Sequence, residues 1–284
     1  MDQTETFEQH RAHLRGIAYR MLGSLPDADD ALQETWLRLA RTNTSDVENI
    51  GGWLTTVLTR ICLNVLRGRA TRREDPLDMV HVPDPVVTLE PEHEAMLADA
   101  ISLAMLVVLE TLPPPERVAF VLHDSFGLPF DEIASILDRT PAATRQLASR
   151  GRRRVREGEV PRANGDAAEQ RRLVDAFFAA ARAGDIDGLV AVLDPEVVLR
   201  ADAGDSPHSV VIRGAHAVAG RATMFAASER TIVAADVNGT PGVVVNRGEL
   251  VLSVMEFTVV DGRIAAIHAL ADPDRLARLP IPSE

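Results

Sequence analysis

The sequence predicts a multidomain chain: two all-α domains followed by an α+β domain. Three observations carry that expectation. Residues 7–72 and about 98–156 place apolar side chains at helical spacing. The stretch between them, "REDPLDMVHVPDPVVTLEPEHEA", is rich in acid and proline, and each proline holds its predecessor out of the α region. Beyond residue 169 the pattern changes to β-rich runs, with Asp261-Gly262 between two of them as a hairpin signal. The boundaries expected are 5–73 for the first helical domain, 74–98 for an acidic linker, and 99–157 for the second helical domain. A short linker, 158–168, precedes the α+β domain at 169–280.

In the first domain Phe7, Leu14, Ile17, Ala18 and Met21 fall on one helix face. Pro26 suits the opening turn of a second helix, in which Ala28, Ala31, Leu32, Thr35, Trp36 and Leu39 share a side. A third helix, about Trp53 to Arg69, turns Leu54, Val57, Leu58, Ile61 and Val65 inward. In the second domain Pro113 to Pro115 break one helix and start another, which ends at Gly127. "PFDEIASIL" puts Phe130, Ile133, Ala134 and Leu137 on one face, and Thr140-Pro141 reads as an N-cap with proline at the first helical position. In the third part a helix near Glu169 to Arg182 and the short helix of "GDIDGLVAVL" precede the strands.

The chain has 284 residues and a formal net charge of −12, yet its charge is unevenly spread. Glu74 to Asp138 holds fourteen acids and a single base, Arg117, whereas Arg139 to Arg156 holds seven arginines and no acid. An anionic partner would therefore meet local patches. One cysteine, Cys62, excludes an internal disulfide framework and fits a reducing, cytoplasmic setting. No run approaches a membrane span and the start lacks the apolar core of a signal peptide. No Cys/His cluster suggests a metal and no Gly-rich loop suggests a phosphate cofactor, so none is expected.

The helix from Thr140 is the informative one. At 100° per residue Ala143, Leu147, Gly151 and Val155 form a narrow apolar stripe. Arg145, Ser149, Arg152 and Arg156 lie opposite, with Gln146 and Arg153 beside them. A short turn before such a helix is helix-turn-helix chemistry, in which the second helix enters the major groove.

"RVAFVLHDSFGLPFDEIASILDRTPAATRQLASRGRRRV" resembles region 4 of the extracytoplasmic-function (ECF) sigma factors of the sigma-70 family. "LPDADDALQETWLRLA" resembles region 2.2 of that family and "GGWLTTVLTRICLNVLRGR" resembles regions 2.3–2.4. The tail, "LVDAFFAAARAGDIDGLVAVLDPEVVLRAD", is similar to the opening of SnoaL-like (NTF2-like) domains, a curved sheet around a cavity, and a SigJ-type subgroup carries such a tail. The resemblance implies a sigma factor that binds core RNA polymerase and directs promoter-specific initiation at −10 and −35 elements. It implies contacts to the β′ clamp helices from Asp29, Asp30, Gln33 and Glu34, and to the β flap through region 4. It implies −10 contacts by Thr56, Thr59, Arg60, Asn64 and Arg67, with Trp53 either stacking on a base or in the core. It implies −35 contacts by Thr144, Arg145, Gln146, Ser149 and Arg150, with Arg152 and Arg153 on phosphates.

Two subgroup signatures have counterparts here. "HVPDPVVT", His81 to Thr88, is similar to a linker motif usually W-L-P-E-P, and "DPDRL", Asp272 to Leu276, to a C-terminal N-P-D-K-L. They imply regulation in cis through Pro83, Asp84 and Pro85 against Asp272, Pro273, Asp274 and Arg275. A third, usually D-G-G-G-K-V, would fall at "DAGDSP", from which it departs widely.

Two other classes compete. One is a helix-turn-helix regulator whose NTF2-like cavity senses an unidentified small ligand. The other is a SnoaL-like cyclase or isomerase fused to a DNA-binding module, with Asp202, His208, His216, Glu256 and His268 as acid–base candidates. The region 2 match favours the sigma factor, a non-enzyme, over the regulator, which needs no polymerase-binding helix, and the sequence gives no hint of a substrate for the enzyme.

Overall fold

The computed structural model describes residues 3–44, 47–72, 80–89, 101–157, 164, 166–223 and 230–281. The chain divides into two compact units, Met1–Leu77 with Val108–Glu159, and Asp78–Val107 with Val160–Glu284. This differs from three domains joined by linkers. The first helical domain and the second from Val108 onward form one unit, whereas the described part of the expected acidic linker and residues 101–107, the start of the second helical domain, belong with the tail.

In the first unit α1 (Gln3–Leu22), α2 (Leu25–Arg41) and α3 (Ile50–Arg72) pack on one another. Leu14, Ile17, Met21, Leu32, Leu39, Leu54 and Leu58 are buried between them. Ser24 caps α2 by accepting from the Asp27 amide, and Asn49 accepts from the Gly52 amide at the start of α3. On α3 the inward side includes Thr55, Thr59, Cys62 and Leu66, while Val57 and Val65 are half-buried. Burial pushes the Cys62 thiol up to about 12, so it packs as a small apolar group. Trp36, expected in the core, is half-buried with its ring 5.3 Å from that of Phe7.

The second helical domain contributes α4 (Leu103–Thr111), α5 (Pro114–Phe120), α6 (Phe130–Leu137) and α7 (Pro141–Glu157). A π-helical turn, Val121–Ser125, extends α5, and Gly127 follows it at φ 69°. Such turns are rare and recur at functional sites. Thr140 caps α7, its hydroxyl accepting from the Ala143 amide. The buried stripe of α7 is Thr144, Ala148, Gly151 and Val155, one position round from the expected stripe except at Gly151 and Val155. Thr144 can turn inward because its hydroxyl donates to the Thr140 carbonyl oxygen. Gly151 allows the close approach of α5: a Cβ there would lie 3.1 Å from Phe120 Cβ and 3.3 Å from the Glu116 carbonyl oxygen.

The second unit is α+β. Helices α8 (Ala167–Ala183) and α9 (Ile186–Val192) lead into β2 (Leu193–Asp202), β3 (Val210–Arg213), α10 (Ala215–Thr223), β4 (Thr231–Val237), β5 (Thr240–Arg247), β6 (Leu250–Val260), β7 (Arg263–Leu270) and α11 (Pro273–Leu276). The seven-stranded sheet runs β1-β4-β5-β6-β7-β2-β3, where β1 is the linker pair Val87–Thr88. Among the described strands β2 and β7 pair in parallel and the other neighbours pair antiparallel. Asn238-Gly239 and Asp261-Gly262 both hold positive φ, 53° and 77°, then 49° and 73°, as two-residue hairpins require. One sheet face buries Leu199, Val243, Phe257 and Ile267 against Val174, Phe177 and Leu189 of the helices. Alternation sends Asp202, Glu256 and His268 to the other face.

Replacing Gly151 with leucine is expected to destabilise the first unit by about 2 kcal/mol, since α5 must move to admit the side chain. Urea unfolding followed by far-UV circular dichroism measures it.

Candidate nucleic-acid interface and linker clasp

The outer face of α7 is a cationic surface whose members differ in freedom. Arg152 Nε lies 2.6 Å from Asp124 Oδ1 on the π-turn, and Arg154 Nε lies 3.1 Å from Glu116 Oε2. Both arginines are thereby directed back onto their own domain. Arg145 sits over the Phe130 ring at 5.7 Å, and Phe130 stacks on His123 at 3.9 Å. The aromatic pair fixes Arg145 near the first turn of the helix. Gln146, Ser149, Arg150 and Arg153 are exposed. Ser149, Arg150, Arg153, Arg156 and Glu157 line a concavity of about 450 Å³. Thr144 is wholly buried, so it leaves the set of side chains that face a groove.

On α3, Arg60, Asn64 and Arg67 are exposed. Thr59 is completely buried, which removes it from the outer face. Thr56 donates to the Gly52 carbonyl oxygen, and Trp53 is half-buried. Arg60 NH2 donates to the Ser135 carbonyl oxygen of α6 at 3.2 Å. Two further contacts join the helical domains: Arg117 NH1 donates to the Met21 carbonyl oxygen at 2.8 Å, and the Arg20 guanidinium lies 4.7 Å from the Phe126 ring centre. On α2, Asp29, Asp30 and Gln33 are exposed and Glu34 is half-buried. Asp29 accepts from Arg15 at 2.7 Å and Glu34 from Arg38 at 3.0 Å. The Arg15 guanidinium is held above its ordinary pKa mainly by its hydrogen bond to Asp29.

In the second unit the linker and the C-terminal motif meet through Arg275. Its Nε donates to Asp84 Oδ1 at 3.0 Å, its NH1 to Asp202 Oδ2 at 2.7 Å and its NH2 to the Val82 carbonyl oxygen at 2.7 Å. Asp202 closes the ring by accepting from the Val82 amide at 2.9 Å, with His81 Nδ1 3.3 Å away. Burial pushes the Asp202 carboxyl up, but the hydrogen bonds from His81, Val82 and Gly204 and the Arg275 charge outweigh it, and its pKa falls below the ordinary value. Asp272 caps α11, accepting from the amides of Asp274 and Arg275, and so aims Arg275. Pro83 and Pro85 are buried, whereas Pro273 and Asp274 are exposed and lie outside the ring.

The acid–base candidates are dispersed. Asp202 is occupied by the clasp, and His208 and His216 are exposed. Glu256 and His268 form a buried pair at 3.4 Å on the sheet face away from α8 to α10. Sequence reasoning missed Asn238, whose amide and side chain both bond Val86. Asn238-Gly239 is a turn pair between two β-rich runs, a pattern that points to a hairpin and not to a contact with the linker. Sequence reasoning also read Asp202 as an acid–base candidate at a degraded motif, where the structure makes it the centre of the clasp.

Among the described residues no helix is long and apolar enough to cross a membrane. The model of sigma-70 region 2 matches residues 6–72, and that of sigma-70 region 4 matches residues 102–155. The chain is 36% identical over 271 residues to the probable ECF RNA polymerase sigma factor SigI of Mycobacterium tuberculosis, covering 94% of this chain and 92% of that one. It is 35% identical over 298 residues to ECF RNA polymerase sigma factor SigJ of the same organism, covering 98% and 95%. The crystal structure of Mycobacterium tuberculosis SigJ superposes with a TM-score of 0.76 at 33% identity, over 98% of this chain and all of that one. With both sigma regions in order and similarity spanning nearly the whole length, this chain belongs to the ECF RNA polymerase sigma factors.

Proposed function

We propose that this sigma factor engages core polymerase through α2, reads the −10 element from α3 and the −35 element from α7, and is regulated in cis by its α+β tail. The observation that carries the regulatory part is the four-way clasp at Arg275. It ties two carboxylates, Asp84 and Asp202, whose side chains are 6% and 4% exposed, to one guanidinium. Buried carboxylates persist only when paired and hydrogen-bonded. Asp84 lies between regions 2 and 4 in the chain, so a hold on it biases how far those regions can part.

Contacts within the first unit support a second element of control. Arg60, a −10 candidate, is engaged with Ser135 of the helix-turn-helix. Releasing that bond frees the guanidinium for a strand. Asp30 and Gln33, exposed beside Asp29, are the groups available to a basic coiled coil.

For α7, the division of labour follows from what each arginine already touches. Arg145 and Arg150 face outward and reach base edges or nearby phosphates, while Arg152 and Arg154 shape the domain. Phosphate contacts position and base contacts specify.

Arg145→Ala is expected to weaken binding to the cognate promoter by about 1–3 kcal/mol while leaving scrambled duplex nearly unaffected. Fluorescence anisotropy of holoenzyme on both duplexes measures the split, and equal losses would overturn base reading. Asp30→Arg is expected to abolish run-off transcription and retention on core polymerase, with the helical content unchanged; normal retention would remove α2 from the polymerase contact. The depressed Asp202 carboxyl gives a pH signature. Its stabilisation is present above the ordinary carboxylate value, about 3.9, and is lost as pH falls through the lower folded value. Asp202→Asn should flatten the acid limb of stability below about pH 4, read by urea midpoints from pH 3 to 6; an unchanged acid limb would count against the clasp.

A further inference from the structure

A second set of contacts in the α+β unit lies apart from Arg275. Glu256 is fully buried on β6. Its Oε1 accepts from the Leu103 amide at 2.9 Å and from the Thr240 hydroxyl at 3.2 Å. Leu103 is the first residue of α4, and Ser102 is beside it with its hydroxyl oxygen accepting from the Met105 amide. Two amides of the opening turn, which the helix itself leaves unsatisfied, are thus taken by Ser102 and by a carboxylate from the sheet. A negative group at a helix N-terminus also meets the favourable end of the helix dipole. His268, directly opposite Glu256 in the β6–β7 register, stands 3.4 Å from its other oxygen.

Asn238 makes the corresponding hold on the chain before and after. Its main-chain amide donates to the Val86 carbonyl oxygen at 2.8 Å, and its side-chain oxygen accepts from the Val86 amide at 2.9 Å. Its side-chain nitrogen donates to the Ile101 carbonyl oxygen at 2.8 Å. One residue therefore fixes both Val86 and Ile101, fifteen positions apart, and Glu256 fixes the residue two beyond.

We infer that Asn238 and Glu256 form a second attachment point that sets where the first helix of region 4 begins, so the number of residues between Leu89 and Ile101 does not set it. The attachment is structural and stands whether or not the tail regulates transcription; only the transcription arm below rests on the sigma-factor reading.

Hydrogen–deuterium exchange on the full chain tests it. Glu256→Ala should speed exchange over residues 103–106 about tenfold while α8 stays within about twofold of wild type. Glu256→Gln, whose amide oxygen can still accept from Leu103, should restore most of the protection. Asn238→Ala, which removes two side-chain bonds, should speed exchange at Val86 and over the same first turn. Unchanged exchange over 103–106, or a uniform rise that includes α8, would overturn the anchor. In the second arm six Gly/Ser residues are inserted between residues 94 and 95. Run-off transcription should stay within about twofold of wild type, and should fall about fivefold or more when the insertion is combined with Asn238→Ala and Glu256→Ala. A fivefold loss from the insertion alone, with 103–106 still protected, would show that chain length sets the position of region 4.

Discussion

The α+β unit depends on a buried carboxylate that must be neutralised. Asp202 ends β2 on the sheet face away from the helices, where water cannot solvate it. It remains charged because Arg275, His81 and the amides of Val82 and Gly204 converge on it. Three of those partners come from distant parts of the chain. Satisfying one charge therefore brings the linker and the C-terminal turn to the same point. The arrangement also explains Gly204: at φ 65° it brings its backbone so near Asp272 that a Cβ would lie 2.8 Å from Oδ2. Removing Arg275 would leave two carboxylates buried without their cation, a loss of about 3–5 kcal/mol.

The same economy of charge shapes the helical unit. Its acidic sequence hides a cationic helix whose arginines are sorted by local partners. Asp124 and Glu116 draw two of them inward, and Phe130 holds a third at the turn where a recognition helix meets DNA. The region 2 helices meet region 4 through main-chain carbonyls at Met21 and Ser135. Those acceptors are available whatever the side chain, so the contact tolerates sequence change. Arg60 is exposed apart from that bond to Ser135.

Much of this was legible in the sequence, and the failures have physical causes. The helices followed from apolar spacing, from Pro26 and Pro114 at helix starts, and from Thr140 as a cap. The hairpin at Asp261-Gly262 followed from the demand for positive φ. Helix α7 was misphased because Thr144 and Ala148 are small, and periodicity gives small residues little weight; a threonine that satisfies its own hydroxyl can be as buried as leucine. Thr59 is buried as well, although its hydroxyl finds no partner among the described residues, and a polar residue on an amphipathic helix reads as outward from local pattern alone. Linker residues 80–89 read as extended, which they are, but their pairing with β4 through Val87 and Val237 is a long-range event that local pattern cannot encode. Asp84 and Arg275 were legible only through family motifs. Asn238 and Glu256 were not legible as anchors, since their partners are main-chain groups about 140 to 150 residues away.

The most direct test of the central claim is run-off transcription by core polymerase with the full chain and with its Arg275→Ala variant, at matched holoenzyme concentration on the cognate promoter. The account predicts promoter-specific transcripts from wild type and a yield from the variant that differs by about threefold or more, because the clasp alters the population of the competent state. Equal yields from two folded proteins would contradict control through the clasp.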